Sequence, residues 1–180
     1  PLFKAQEDFY RGADDMHGAG GELRVETARV RWAVLDAFME AAEQAGIPRT
    51  PDFNRGDNEG SGYFDVTQRR GWRWSAVKAF LRPALSRPNL TVLTGAEVER
   101  LLIEGGEVRG AVIHHKGQRQ EIRAARETVL SAGAIGSVQI LERSGIGRGE
   151  VLQAAGIAPL AEVPDVGENL QDHLQLRLVY

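Results

Sequence analysis

Ser131-Ala-Gly-Ala-Ile-Gly-Ser137 opens the stretch of sequence that decides the fold, and Gln139-Ile-Leu141, Ser144-Gly-Ile-Gly147 and Val163-Pro-Asp-Val-Gly-Glu-Asn-Leu-Gln-Asp-His173 follow it. This order predicts a buried strand, a tight glycine turn, a short helix, a loop and a second ordered loop that ends in Asp-His. A glycine turn that opens a helix presents main-chain N–H groups, which favour anionic or electron-rich groups. Taken alone, such a turn is more often simple tight packing.

The residues before this stretch predict mainly β structure. Strands are predicted at 90–94, 98–103, 108–114, 120–122 and 127–132. The second and third are joined by Glu104-Gly-Gly-Glu107, which is typical of a hairpin turn. The last is apolar with few charges and suits a buried position in a parallel sheet.

Helical spacing of apolar residues dominates the remainder of the chain. Helices are predicted at 2–10, 27–45, 76–85, 136–141 and 150–155, and further strands at 22–25, 63–68 and 174–180. Thr27 and Ser75 are good N-cap residues for two of these helices. The region 49–62 is rich in Pro, Asp, Asn and Gly and is predicted as loop. The fold class is therefore mixed α/β.

Composition excludes several classes of protein. The chain has 180 residues, of which 42% are hydrophobic and 26% charged, as in a globular protein. A net charge of −3 argues against a nucleic-acid partner. The absence of cysteine excludes disulfides and thiolate ligands. We find no metal-binding motif, no Gly-x-Ser-x-Gly turn at Ser144 and no apolar run of the roughly 18 residues that a bilayer requires.

The combined motifs resemble those of the glucose–methanol–choline (GMC) flavoprotein oxidoreductases, and the resemblance covers nearly the whole chain. Further matching segments are His17-Gly-Ala-Gly-Gly21, Asp52-Phe-Asn54, Glu59-Gly-Ser-Gly62, Arg73-Trp-Ser75, Ala79-Phe-Leu-Arg-Pro83 and Arg87-Pro-Asn-Leu90. They are closer to the choline and alkanol dehydrogenase branch than to the sugar oxidases. One departure is Val138, where the family usually has proline. Proline favours the first turn of a helix, so valine there should cost little.

The resemblance implies a fold and a division into domains. It implies part of an FAD-binding, Rossmann-like domain with β-hairpin strands at 70–173. Residues 1–69 would form a substrate-side or cap portion, and 174–180 would begin a strand that enters the substrate domain. The dinucleotide fingerprint of the family lies upstream of this region and its catalytic histidine lies downstream. We therefore expect the chain to be an internal segment that has partners in the N- and C-terminal parts of the same polypeptide.

The resemblance also implies the cofactor and the residues that contact it. The cofactor is FAD. The main chain of Val98 would contact the adenine, the turn at Gly133-Ala134 would contact the flavin side, and Asp172 with His173 would lie near the flavin. An ordinary structural role remains open for each of these residues. His17 is interpreted as a turn residue, and no residue of the segment is interpreted as catalytic.

The implied activity is oxidation of a primary alcohol, choline-like or alkanol, to an aldehyde by hydride transfer to the flavin. Two alternatives remain open: an FAD-containing lyase of the same family, and a non-catalytic α+β binding module. The 180 residues alone should be inactive and should self-associate through exposed apolar surface. We expect a location in the cytoplasm or peripheral to the cytoplasmic membrane. The sequence does not identify the alcohol, the electron acceptor or the oligomeric state.

Overall fold

The computed structural model describes residues 1–177 and confirms the mixed α/β class. The chain forms two compact units, Pro1–Thr91 and a second that begins at Val92. The predicted limit between a cap portion (1–69) and an FAD-binding portion (70–173) concerns the roles of the two portions, so it stays a prediction.

The first unit is built from short elements around a small sheet. Its elements are α1 (Leu2–Gln6), β1 (Glu7–Phe9), β2 (Leu23–Thr27), α2 (Ala33–Gln44), β3 (Asp65–Val66), β4 (Gln68–Arg69), β5 (Trp72–Arg73), a π-helical turn (Val77–Leu81) and α3 (Arg82–Ala84). β2 lies between β1, with which it is parallel, and β3, with which it is antiparallel. β4 and β5 form a separate antiparallel pair. Phe9, Ala42 and Ala79 are the buried apolar residues of this unit.

Tertiary pairing changes several predicted boundaries in the first unit. The helix predicted over 2–10 ends early, because β1 leaves it to pair with β2. α2 begins later than predicted because Thr27 is the last residue of β2, where it pairs with Asp65. The helix predicted over 76–85 is present as the π-helical turn and α3, but the side chain of Ser75 does not cap it.

The second unit combines an antiparallel sheet with two helices. Its elements are β6 (Ala96–Glu104), β7 (Glu107–His115), β8 (Gln118–Arg123), α4 (Gly133–Arg143), β9 (Ile146–Gly147), α5 (Gly149–Ala154) and β10 (Ala161–Glu162). The sheet order is β6-β7-β8, as the hairpin pattern predicts. Gly105 and Gly106 join β6 to β7 with φ of +59° and +81°, the signs that a type I′ turn requires.

α4 packs against β6, and the core of the second unit lies around this contact. Buried apolar residues are Leu101, Leu102, Val112, Ile113, Ile140 and Leu152. The buried Oγ of Ser144 accepts a hydrogen bond from the main-chain N–H of Leu101 at 2.8 Å, and its hydroxyl donates to the carbonyl of Ile140. This hydroxyl therefore fastens the end of α4 to the sheet.

The strands predicted at 90–94 and 127–132 are wrong, and no strand forms at 174–177 either. A strand needs a hydrogen-bonded neighbour, and no strand among residues 1–177 pairs with any of these segments. Val129, predicted to be buried, is 78% exposed. The remainder of the last predicted strand, residues 178–180, lies outside the described residues.

Candidate functional site

The turn that begins α4 needs glycine for its backbone conformation. Gly133 has a φ of +84°, a conformation that L side chains rarely adopt. A Cβ added there would meet no described atom within 4 Å, so packing does not explain the glycine. The main-chain N–H of Ala132 donates to the Oγ of Ser137 at 3.1 Å, which steadies the turn. The hydrogen bond therefore holds the turn in place, while the space beside Gly133 at the helix N-terminus stays free of described atoms.

An open pocket of about 400 Å³ adjoins this helix N-terminus. It is lined on one side by α4 residues Ala134, Ile135, Val138 and Gln139, and on the other by Gly167, Glu168, Asn169, Leu170 and Gln171. Ile135 and Leu170 are 65% and 70% exposed, so the lining is largely apolar and accessible. The first N–H groups of a helix have no acceptor within it. The pocket thus offers an apolar surface near the N-terminus of α4, at a size common for small-molecule sites.

The second wall of the pocket is held close to α4. A Cβ at Gly167, where φ is +85°, would stand 2.9 Å from Oε1 of Glu142 and 3.5 Å from Cγ1 of Val138. A side chain at this position would therefore need the Glu142 carboxylate to move, and the positive φ itself favours glycine. Glu168 is also paired with Arg148 at 3.2 Å. These contacts position the loop over the helix.

The predicted site residues near this pocket are only partly brought together. Gly133 begins α4 and Ala134 lines the pocket, whereas Asp172 and His173 follow its last lining residue and are exposed. Oδ1 of Asp172 accepts the main-chain N–H of His173 at 2.8 Å. In the part of the chain that the structure describes, the imidazole of His173 has no hydrogen-bond partner. The contacts of these residues with a flavin stay a prediction.

Val98 lies elsewhere in the second unit. It pairs with Ile113 of β7, within the strand that meets the opposite end of α4 through Ser144 and Leu101. α4 has 11 residues and is therefore about 16 Å long. Gly133 stands at the other end of this helix from Ser144. Contact of Val98 with adenine also stays a prediction.

The first unit contains a buried cluster of Glu7, His17 and Asp52 that the sequence does not predict. His17 is only 3% exposed and stacks on Phe9 with ring centres 3.8 Å apart. Its Nδ1 lies 3.1 Å from Oε1 of Glu7, and its Nε2 lies 2.9 Å from Oδ2 of Asp52. The three residues come from β1, a glycine-rich turn and the 49–62 loop, and their sequence separations give no signal of this contact.

The geometry of this cluster requires a charged histidine. A neutral imidazole has one N–H, but here both ring nitrogens face carboxylate oxygens. Burial alone would lower the pKa of His17, but hydrogen bonds to Glu7 and Asp52 and their charges outweigh it, so the pKa is raised above 6.5. With both nitrogens engaged and no access to solvent, His17 holds three segments together and is no candidate for a catalytic base.

Residues 1–177 contain neither a metal cluster nor a membrane-spanning helix. No group of three or more His, Asp or Glu side chains there is arranged to hold a metal ion. None of the helices in this range is long and apolar enough to cross a membrane.

Comparison with known proteins identifies relatives of the whole chain. Residues 2–175 match the family model described as GMC oxidoreductase. The mitochondrial choline dehydrogenase of Homo sapiens is 42% identical over 176 residues. Among solved structures, pyridoxine 4-oxidase from Mesorbium loti is 40% identical with a TM-score of 0.90, and an FAD-dependent oxidoreductase from Chaetomium thermophilum is 25% identical with a TM-score of 0.86.

These matches cover nearly all of the chain but only part of each relative. The alignments include 98% of the chain for the human protein and 96% for each of the two structures. They include 30%, 34% and 32% of the respective relatives. The chain therefore spans about a third of the length of the proteins that it matches.

Proposed function

The chain belongs to the GMC oxidoreductase family, and from this premise we propose that the whole protein oxidises a primary alcohol to an aldehyde, with the flavin of FAD as hydride acceptor. FAD, the cofactor expected from the sequence, is confirmed by the family match and by the FAD-dependent enzyme among the structural neighbours. The FAD-containing lyase finds no support among the relatives.

The observation that carries the proposal is the open, glycine-dependent turn at the N-terminus of α4. The positive φ of Gly133 and the empty space at its Cβ position leave the main chain accessible to a flat ring system. The main-chain N–H of Ala134 favours an electron-rich edge, and Ile135 and Leu170 provide exposed apolar surface that a ring system could cover. These residues therefore fit the flavin end of FAD.

In this proposal the segment binds and orients the cofactor. When bound, FAD supplies the acceptor for the hydride, and the protein supplies position and electrostatics. The main chain at Gly133 and Ala134 would hold the flavin edge, and the wall formed by residues 167–171 would limit solvent access. The proton of the substrate hydroxyl needs a base, and none of the residues described here is assigned that task.

The substrate class is proposed from what the relatives share. The human relative is named for choline and the bacterial structure for pyridoxine, and both compounds carry a primary alcohol. We propose choline as the first candidate because the human relative aligns with 98% of the chain at 42% identity. Other small primary alcohols form the second group to be tested.

The test uses the full-length protein, purified and freed of oxygen. We expect a flavin absorption spectrum that bleaches when choline or pyridoxine is added. Tetramethylammonium, which lacks the hydroxyl group, should leave the spectrum unchanged. A preparation without flavin would contradict the proposal. So would a flavin that dithionite reduces but that no primary alcohol reduces. Reoxidation by oxygen or by a quinone would then identify the electron acceptor.

A further inference from the structure

A second pocket, in the first unit, has a charge that is unusual for this chain. The whole chain carries a net charge of −3, but three arginines and one aspartate line this pocket. Its volume is about 270 Å³, just below the roughly 300–1,000 Å³ of pockets that hold drug-sized ligands. The lining residues that carry the argument are Arg11, Arg31, Arg49, Ser61, Tyr63 and Asp65.

Two of the arginines have no carboxylate partner. Arg49 is neutralised by Glu43 at 2.9 Å. Arg11, in contrast, donates to the hydroxyl of Tyr10 at 2.6 Å and to the carbonyl of Pro51 at 3.3 Å, which are both uncharged. Arg31 stands 4.8 Å from the ring centre of Tyr63. Within residues 1–177, no carboxylate lies within 4.0 Å of either Arg11 or Arg31.

Asp65 is the single carboxylate among the lining residues of this pocket. Burial raises the pKa of Asp65, although the charge of Arg11 opposes the shift. Together with Glu43, which pairs with Arg49, Asp65 supplies two negative charges against the three arginines. The pocket therefore keeps an excess of positive charge.

Ser61 adds an unused hydrogen-bonding group to the same lining. Its main-chain N–H donates to the carbonyl of Pro48 at 2.8 Å, and its carbonyl accepts from Thr50 at 2.9 Å. Its Oγ is buried without a hydrogen-bond partner and is the only side-chain atom in that state among residues 1–177. Buried polar groups without partners are rare and need an explanation, such as an unseen ion. In the rotamer present this Oγ is closed off from solvent, so it would need a different χ1 rotamer to reach a ligand in the pocket.

We infer that this pocket binds a small oxyanion, a phosphate or a carboxylate, between Arg11 and Arg31, with Ser61 as a hydroxyl donor. The forked guanidinium group presents parallel N–H donors that match the oxygens of both kinds of anion. The inference concerns residues of the first unit and is independent of the proposed flavin site.

The test is calorimetric titration of the full-length, flavin-loaded protein with inorganic phosphate and, separately, with acetate. Ionic strength is held constant with chloride, so that a general salt effect does not imitate binding. We expect saturable binding of at least one anion, and the tighter of the two identifies the chemistry. Arg31→Met should weaken it about tenfold or more, and Ser61→Ala about threefold.

The matched control is Arg87→Met, because Arg87 is an exposed arginine outside the pocket. It should leave the affinity unchanged, and all three variants should keep the flavin spectrum of the parent protein. If Arg31→Met does not fold, Ser61→Ala alone decides the matter, since it removes a single oxygen atom that has no partner. The inference is overturned if neither anion saturates the protein, or if the pocket variants bind as tightly as the control.

Discussion

Replacement of His17 by alanine should destabilise the first unit severely. The substitution removes the positive charge between Glu7 and Asp52 and leaves two carboxylates without their shared partner. The side chain of Asp52 is only 3% exposed, so its carboxylate would be left without its partner and away from bulk solvent. Breaking a buried ion pair by removing one member typically costs about 3–5 kcal/mol. The stacking of His17 on Phe9 is lost as well.

Tryptophan fluorescence can follow this loss in the first unit alone. The chain has three tryptophans, and Trp32, Trp72 and Trp74 all lie within Pro1–Thr91. With a urea dependence of about 1–3 kcal/mol per molar, the unfolding midpoint of the His17→Ala chain should fall by at least about 1 M. The control is His114→Ala, since His114 lies in the second unit, half-exposed beside Glu99, and should not move the fluorescence midpoint.

The pH dependence of the unfolding midpoint shows whether His17 stabilises the unit through its charge, as a charged clamp between Glu7 and Asp52, or only through packing. The pKa of His17 is raised above its unfolded value of 6.5, so its contribution to stability is fully present below pH 6.5. That contribution is lost as the pH rises through the folded pKa. The fluorescence midpoint of the parent chain should therefore decline above pH 6.5, and that of His17→Gln should not. A parent midpoint that stays flat, or a His17→Ala midpoint within about 0.3 M of the parent, would refute the charged clamp.

Three further predictions concern the second unit and the chain as a whole. Gly133→Val should empty the full-length enzyme of FAD, because valine cannot adopt φ +84°, whereas Gly156→Val at φ +75° and Val98→Ile should keep normal flavin absorbance; equal occupancy in both glycine variants would sink the cofactor role. Ser144→Ala should destabilise the unit by about 1–3 kcal/mol, since the buried N–H of Leu101 loses its acceptor; circular dichroism during urea unfolding measures this, and an unchanged midpoint contradicts it. Sedimentation of the 180-residue chain should show association that grows with concentration, as opposed to a constant monomer mass.

Local chemistry made much of the fold predictable. The hairpin of β6 and β7 follows from Gly105-Gly106 between two runs of β-forming residues, because few other dipeptides adopt positive φ twice. α4 and α5 follow from helical spacing after glycine and end at glycines with positive φ. These elements form in the second unit because their partners are near in sequence.

The failures share a physical cause, which is dependence on distant partners. The segment 127–132 is as apolar as a buried strand, but a strand exists only where another strand accepts its hydrogen bonds. The short β1 was mistaken for helix because its apolar spacing fits both, and pairing with β2 decides between them. His17 does lie in a turn as predicted, but its contacts with Glu7 and Asp52 are not predictable from the sequence, because these residues reach it only in the folded unit.

Gly133 differs from two other glycines of the second unit that also have positive φ. Gly167 has nearly the same φ, but the space beside it is already filled by the side chains of Glu142 and Val138. Gly156 has positive φ and open space, yet it ends α5, where such a glycine is ordinary. Gly133 is different because its open space lies at the N-terminus of an 11-residue helix, where N–H groups lack acceptors and a pocket adjoins them. Strain at Gly133 and at Gly156 should therefore cost similar stability, and only the former should cost flavin.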